Sequence, residues 1–172
     1  MYNINDNLKK ILGKIRLLAF DVDGVLTDGS LYYGPEGECM KGFNSKDGYA
    51  LRCLSKMGFQ LAIITGRKSV FVEHRAKDLG IQHVFQDTLI KKPVFEALCQ
   101  KLNILPEEAS YMGDDVMDIP VLQMSGIKAC PADALPNVRE KCNFISQYPG
   151  GRGAVRELCD CFAQVHGISF MV

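Results

Sequence analysis

Short apolar runs alternate along this chain with longer segments in which apolar residues recur at helical spacing. Residues 16–20 (RLLAF) are nearly all apolar and lead into an acidic, glycine-bearing stretch, the pattern of a buried strand with a functional loop behind it. Residues 60–64 (QLAII) repeat the pattern and end in Thr65, Gly66 and Arg67. Further strands are expected at 83–86, 110–112, 127–130 and 143–145; the one at 110–112 runs into Gly113, Asp114 and Asp115. Helical spacing predicts helices over 48–57, 70–79, 92–102, 117–124 and 154–165, with Gly58 and Gly80 at two of the stops. Alternating elements of this size form a parallel sheet with helices on both faces, a three-layer α/β fold. Polar residues gather after the carboxyl ends of several strands, the edge at which open α/β sheets bind ligands.

One stretch breaks the alternation. Residues 30–43 (SLYYGPEGECMKGF) begin aromatic, turn through Gly-Pro-Glu-Gly and return through Met40 and Phe43, which predicts a β-hairpin inserted after the first strand. Its place directly behind the first loop suits it to cover that loop or to carry an oligomer interface. The first dozen residues read as a polar lead-in or a short helix. With no repeat, low-complexity tract or linker, the 172 residues are read as a single domain.

Composition narrows the partners. Twenty basic residues balance twenty acidic ones, so no whole-chain field draws in nucleic acid or an anionic membrane. No apolar run has the length of a membrane span, and the first residues lack the order of a signal peptide. The seven cysteines are scattered, without a CxxC pair or a histidine spaced to complete a zinc site around Cys159 and Cys161. Reduced thiols and a cytoplasmic location are expected.

Candidate chemistry clusters at the strand ends. Asp21 and Asp23 follow the first strand, and alternation along an extended backbone points both the same way before Gly24 bends the chain. Two carboxylates about 4 Å apart repel by a few kcal/mol at an effective dielectric of about 20, which a cation or a shared proton must relieve. A solvated acidic turn is the bland alternative. The second acidic cluster, with Asp114, Asp115 and Asp118, also follows a strand. Hard oxygen ligands with open positions suit Mg²⁺, although Asp115 or Asp118 would serve equally well as a helix N-cap. The segment Thr65, Gly66 and Arg67 offers a phosphate a hydroxyl donor, an unhindered backbone amide and a nearby helix start. Lys91 and Lys92 both follow the third strand, and spacing does not choose between them.

These pieces resemble the haloacid dehalogenase superfamily of phosphotransferases. DVDGVLTDG is similar to its first motif, ITGR to its second, Lys91 to its third and GDDVMD to its fourth. DVDGVLTDGSLYYGPEGE, FNSKDGYALR, ITGRKS, Arg75 before LGI, and GGRGAVRE further resemble the 3-deoxy-D-manno-octulosonate 8-phosphate phosphatase family, over nearly the whole chain. That resemblance implies a capless, Rossmann-like fold and a Mg²⁺-dependent phosphomonoesterase that forms an aspartyl phosphate in lipopolysaccharide precursor synthesis. Asp21 would be the nucleophile, Asp23 the acid and base, and Thr65, Gly66 and Lys91 the phosphate holders. Asp21, Asp114 and the Asp23 backbone carbonyl would ligate the metal, with Asp115 and Asp118 supporting them. Asn44, Ser45, Lys46, Asp47, Gly48, Arg67 and Arg75 would contact the sugar acid. It also implies a homotetramer in which hairpins meet centrally and a neighbour closes each site. Residues 86–90 depart from the family pattern, lacking the glycine-rich or acidic approach expected before the lysine. The rival readings are a phosphatase for a related nine-carbon acid and a long-lived aspartyl-phosphate switch. Asp23, placed two residues after the nucleophile, argues for turnover.

Overall fold

Strand β1 (Leu17–Phe20) is buried along its whole length, because both of its faces are covered. Leu18 and Phe20 point into one apolar cluster and Leu17 and Ala19 into another, as the two-residue period of a strand requires. The computed structural model describes residues 2–170 and places β1 at the centre of a six-stranded parallel sheet. Beside it lie β4 (Gln60–Ile64) and, on the other side, β6 (Ala109–Met112); β5 (His83–Phe85), β7 (Ile127–Cys130) and β8 (Phe144–Ile145) complete the order β5-β4-β1-β6-β7-β8. The remaining strands, β2 (Tyr32–Gly34) and β3 (Gly37–Met40), form an antiparallel hairpin within the insertion expected at 30–43.

The two clusters become the two helical layers. Helices α1 (Asp6–Leu12), α2 (Ser45–Lys56), α3 (Val70–Leu79) and α7 (Ala154–Val165) pack on the Leu18 and Phe20 face. Helices α4 (Lys91–Leu102), α5 (Ile119–Leu122) and α6 (Pro136–Arg139) cover the other. The chain runs outward from β1 to β5 and then returns to build β6 on β1's opposite side. That reversal opens a crevice at the carboxyl ends of β1 and β6.

Differences from the expected elements have local causes. Helix α2 starts at Ser45 rather than residue 48, because the Asn44 side chain caps it by accepting from the Lys46 amide at 2.8 Å and the Asp47 amide at 3.3 Å. The helix expected over 117–124 divides into a 3-10 turn, Val116–Asp118, and α5, whose first turn holds Pro120. Helix α6 was not anticipated; it is only four residues long.

The stretch Gly150, Gly151, Arg152 and Gly153 fastens the last helix to the first loop. The Gly151 amide donates to the Val25 carbonyl at 2.9 Å, and a Cβ on Gly150 would stand 1.8 Å from the Gly24 oxygen. Gly153 ends the loop at φ 116° and gives α7 no side-chain cap. Asp47 supplies one from α2 instead, accepting from the Arg156 amide at 2.7 Å. Gly150→Ala should therefore cost about 1–3 kcal/mol in urea unfolding, the range of an overpacked position.

Candidate active site

Four loops deliver charged groups to the crevice. Asp21 follows β1 directly, its amide donating to the Met112 carbonyl of β6, so the position of Asp21 and the sheet register are set together. Its Oδ1 accepts from the Val22 amide at 2.7 Å. Its Oδ2 lies 2.8 Å from Lys91 Nζ, which also reaches Asp118 Oδ1 at 2.7 Å. Lys91 is fully buried there, whereas Lys92 is exposed on the far side of the turn with Glu96 as its partner. The approach to Lys91 has no glycine; Asp87 takes the left-handed conformation instead, at φ 55°.

Asp118 is the hub of this network. Its Oδ1 also accepts from Tyr111 Oη at 2.7 Å, and its Oδ2 takes the amides of Asp114 at 3.0 Å and Asp115 at 3.2 Å. Asp115 is exposed and caps the 3-10 turn through the Val116 amide. Asp114 Oδ1, by contrast, is buried with no hydrogen-bond partner. Gly24, at φ 83°, admits this carboxylate: a Cβ there would fall 2.1 Å from Asp114 Oδ2.

The charges in this cluster do not balance. Asp21, Asp114 and Asp118 each offer an oxygen within 4.8 Å of the others, yet the ammonium among them is that of Lys91. Burial, followed by the Asp118 charge, raises Asp21 to about 6 despite Lys91. Burial and the Asp21 and Asp118 charges raise Asp114 to about 7. Burial pulls the Lys91 ammonium down, but the two carboxylates outweigh it and leave it raised. An unpartnered hard oxygen and uncompensated negative charge fit a divalent cation held by oxygen. Asp118 already takes four donors, so Asp21 and Asp114 are the side chains open to it.

Asp23 stands on the hairpin side. Its Oδ1 is paired with Lys41, and its Oδ2 lies 3.8 Å from Arg67 Nε. Lys41 also lies 3.2 Å from Glu38, and Ser69 Oγ donates to that same carboxylate. Arg67 donates to Tyr33 Oη at 2.7 Å. Asp21, Asp23, Thr65, Gly66, Arg67, Asp114 and Asp115 line one cavity of about 180 Å³, with Leu89 and Met117 at its wall. A larger cavity of about 600 Å³ lies at the opposite end of the sheet and gathers no such carboxylates.

The expected sugar contacts divide. Arg67 faces the cavity, whereas Asn44, Gly48 and Arg75 line a separate small crevice, where Arg75 donates to the Asn44 carbonyl at 3.2 Å. Asp47 is spent on the α7 terminus, and Ser45 and Lys46 lie in the first turn of α2. Three participants escaped sequence reading: Tyr111, Glu38 and Lys41. The first hides as an apolar strand residue. The other two were visible only as charges on an otherwise aromatic and apolar hairpin.

A family model described as haloacid dehalogenase-like hydrolase matches residues 43–126. The 3-deoxy-D-manno-octulosonate 8-phosphate phosphatase KdsC of Escherichia coli K12 is 46% identical over 153 residues, covering 89% of this chain and 81% of the relative. The chain belongs to this phosphatase family. The Yersinia pestis 3-deoxy-D-manno-octulosonate 8-phosphate phosphatase structure superposes with a TM-score of 0.93 at 41% identity, covering 95% of this chain and 89% of that one. The Moraxella catarrhalis phosphatase, solved with magnesium, phosphate and KDO, gives 0.90 at 36% identity, covering 95% and 93%.

The raised carboxylates predict how stability follows pH. Below about pH 4 both folded and unfolded chains hold these protons; from there to about pH 7 the unfolded chain releases them first, so the site's penalty grows as pH rises. Mg²⁺ should therefore raise Tm more at pH 8 than at pH 5.5 in thermal melts. Asp114→Asn should raise the metal-free Tm at pH 8 and remove most of the Mg²⁺ response.

Proposed function

We propose that this chain is a Mg²⁺-dependent phosphomonoesterase that converts 3-deoxy-D-manno-octulosonate 8-phosphate to the sugar acid and phosphate, in lipopolysaccharide precursor synthesis. The observation that carries the reading is the convergence of Asp21, Asp23 and Asp114 on one cavity, with the buried Lys91 ammonium paired to Asp21. The substrate follows from the names of relatives that this chain matches over most of its length.

An Asp21 carboxylate oxygen attacks phosphorus, and the bond to the sugar oxygen breaks. That oxygen leaves with the electron pair and takes a proton from Asp23. Water then attacks the aspartyl phosphate and gives its proton to Asp23, and the Asp21–phosphorus bond breaks to restore the carboxylate. Asp21, Asp114 and the Asp23 carbonyl would hold Mg²⁺, which when bound offsets repulsion between the carboxylates and the phosphate dianion. Lys91 and the Thr65 and Gly66 segment stabilise the charge spreading over the phosphoryl oxygens. Tyr111 and the amides of Asp114 and Asp115 fix Asp118, which in turn fixes Lys91.

Arg67, with a buried Nε that has no hydrogen-bond partner, is the guanidinium suited to the sugar carboxylate. Asn44 to Gly48 and Arg75 would reach substrate only across an interface, and we assign that interface to a homotetramer joined through the hairpins. The exposed Leu31, Tyr32, Tyr33 and Met40 support it. Among the described residues no helix is long and apolar enough to cross a membrane, and we place the reaction in the cytoplasm.

Asp21→Asn should lower turnover by about ten-thousandfold and abolish acid-labile phosphate labelling. Activity near that of the unaltered chain would end the scheme. A kcat/KM comparison of the eight- and nine-carbon phosphorylated acids, with Mg²⁺ and with chelator, should favour the eight-carbon acid and vanish without metal. A preference for nine carbons would reassign the substrate. Light scattering should give four chains per particle, and a monomer would remove the shared-site reading.

A further inference from the structure

We propose that Lys41, from the foot of the hairpin, is a positioning residue for Asp23, holding one carboxylate oxygen so that the other is presented to the reacting oxygen atoms. The inference rests on the hydrolytic reading above. It starts from an asymmetry in how Asp23 is held. Asp23 Oδ1 is paired directly with Lys41, while Oδ2 is left to Arg67 Nε at 3.8 Å, beyond a hydrogen bond. A group that gives one proton and takes one back in each turnover needs one oxygen anchored and the other free. This carboxylate meets that requirement.

Lys41 is itself held. Its side chain is 1% exposed, and Glu38 stands 3.2 Å away on β3. Ser69 Oγ, at the start of α3, bonds that glutamate, and Glu38 Oε1 lies 3.9 Å from Arg67. The ammonium is thus fixed from both the hairpin and the second strand-end loop. Removing it would leave Asp23 and Glu38 facing each other with Arg67 as their nearest cation, at 3.8 and 3.9 Å. Asp23 would then turn toward Arg67 and withdraw the free oxygen from the cavity. Lys41 is paired with Asp23 and Glu38, whereas Lys91 is the lysine beside Asp21, which separates this role from direct phosphate binding.

The two half-reactions depend on Asp23 differently, and this gives the test. p-Nitrophenolate leaves without a proton, so its release needs Asp23 little, whereas hydrolysis of the aspartyl phosphate needs it fully. In rapid-mixing kinetics with p-nitrophenyl phosphate and Mg²⁺, Lys41→Met should keep the burst of nitrophenolate. Its steady turnover should fall about 100-fold with KM falling alongside it, so that kcat/KM stays within about threefold, the scale of a misplaced group that acts in the second half-reaction. Acid-labile phosphate on the protein should accumulate beyond the level in the unaltered chain. On the sugar phosphate, whose leaving oxygen needs the proton, phosphorylation itself should slow.

Lys41→Arg should recover much of the turnover. If thermal melts show Lys41→Met unfolded, Lys41→Gln, which keeps a donor without the charge, should show the same accumulation. A raised KM with intact turnover would make Lys41 a phosphate contact, and equal loss of burst and turnover would make it a strut; either overturns the proposal. An unaltered chain that never carries phosphate on Asp21 would defeat the hydrolytic reading. Normal labelling without excess in the Lys41 variants would defeat the positioning role alone.

Discussion

The site depends on one buried ammonium. Lys91 opens α4, where the helix dipole disfavours a cation, and it is removed from water almost completely. Desolvation of that charge costs several kcal/mol unless partners are in place. Asp21 and Asp118 are those partners, and they come from the ends of two different strands. The ion pair therefore does more than hold the lysine proposed to bind phosphate. It forces the β1 and β6 loops into one place, and it does so only because Asp118 is itself fixed by Tyr111 and two backbone amides.

A single ammonium cannot neutralise the acids gathered around it, and the molecule tolerates this at a cost in stability. Gly24 lacks the side chain that would keep Asp114 out, so an uncompensated carboxylate is brought against the loop that carries Asp21. Residues that would be poor choices for stability alone, such as a buried orphan oxygen and a lysine at a helix start, are here concentrated in a few ångströms. Local rules tend to fail where chemistry is done.

Much of this was legible in the sequence, for reasons that can be named. Residues 60–64 and 127–130 are read as strands, and 70–79 and 154–165 as helices, with the observed limits, because apolar period and glycine stops agree there. Asp21, Asp23 and Asp114 stand out because they follow apolar runs that must be strands. Lys91 over Lys92 was not decidable from spacing: adjacent residues at a helix start differ by the direction in which they point, which only the packed helix defines. Tyr111 was illegible because a buried strand tyrosine reads as core until its hydroxyl has a partner. Lys41 and Glu38 were illegible for a different reason, since a hairpin's contacts depend on where it folds back.

That fold-back has a further consequence. Strands β2 and β3 form a ribbon whose outer edges pair with nothing among the described residues, and two-stranded ribbons are marginal in water by themselves. Lys41 stands one residue beyond the ribbon's last paired position, on the same backbone that carries Glu38. Whatever shelters the ribbon also steadies the carboxylate paired with Lys41 at its foot, so under the proposed mechanism specific activity at high dilution would report on the packing of the ribbon's outer surface.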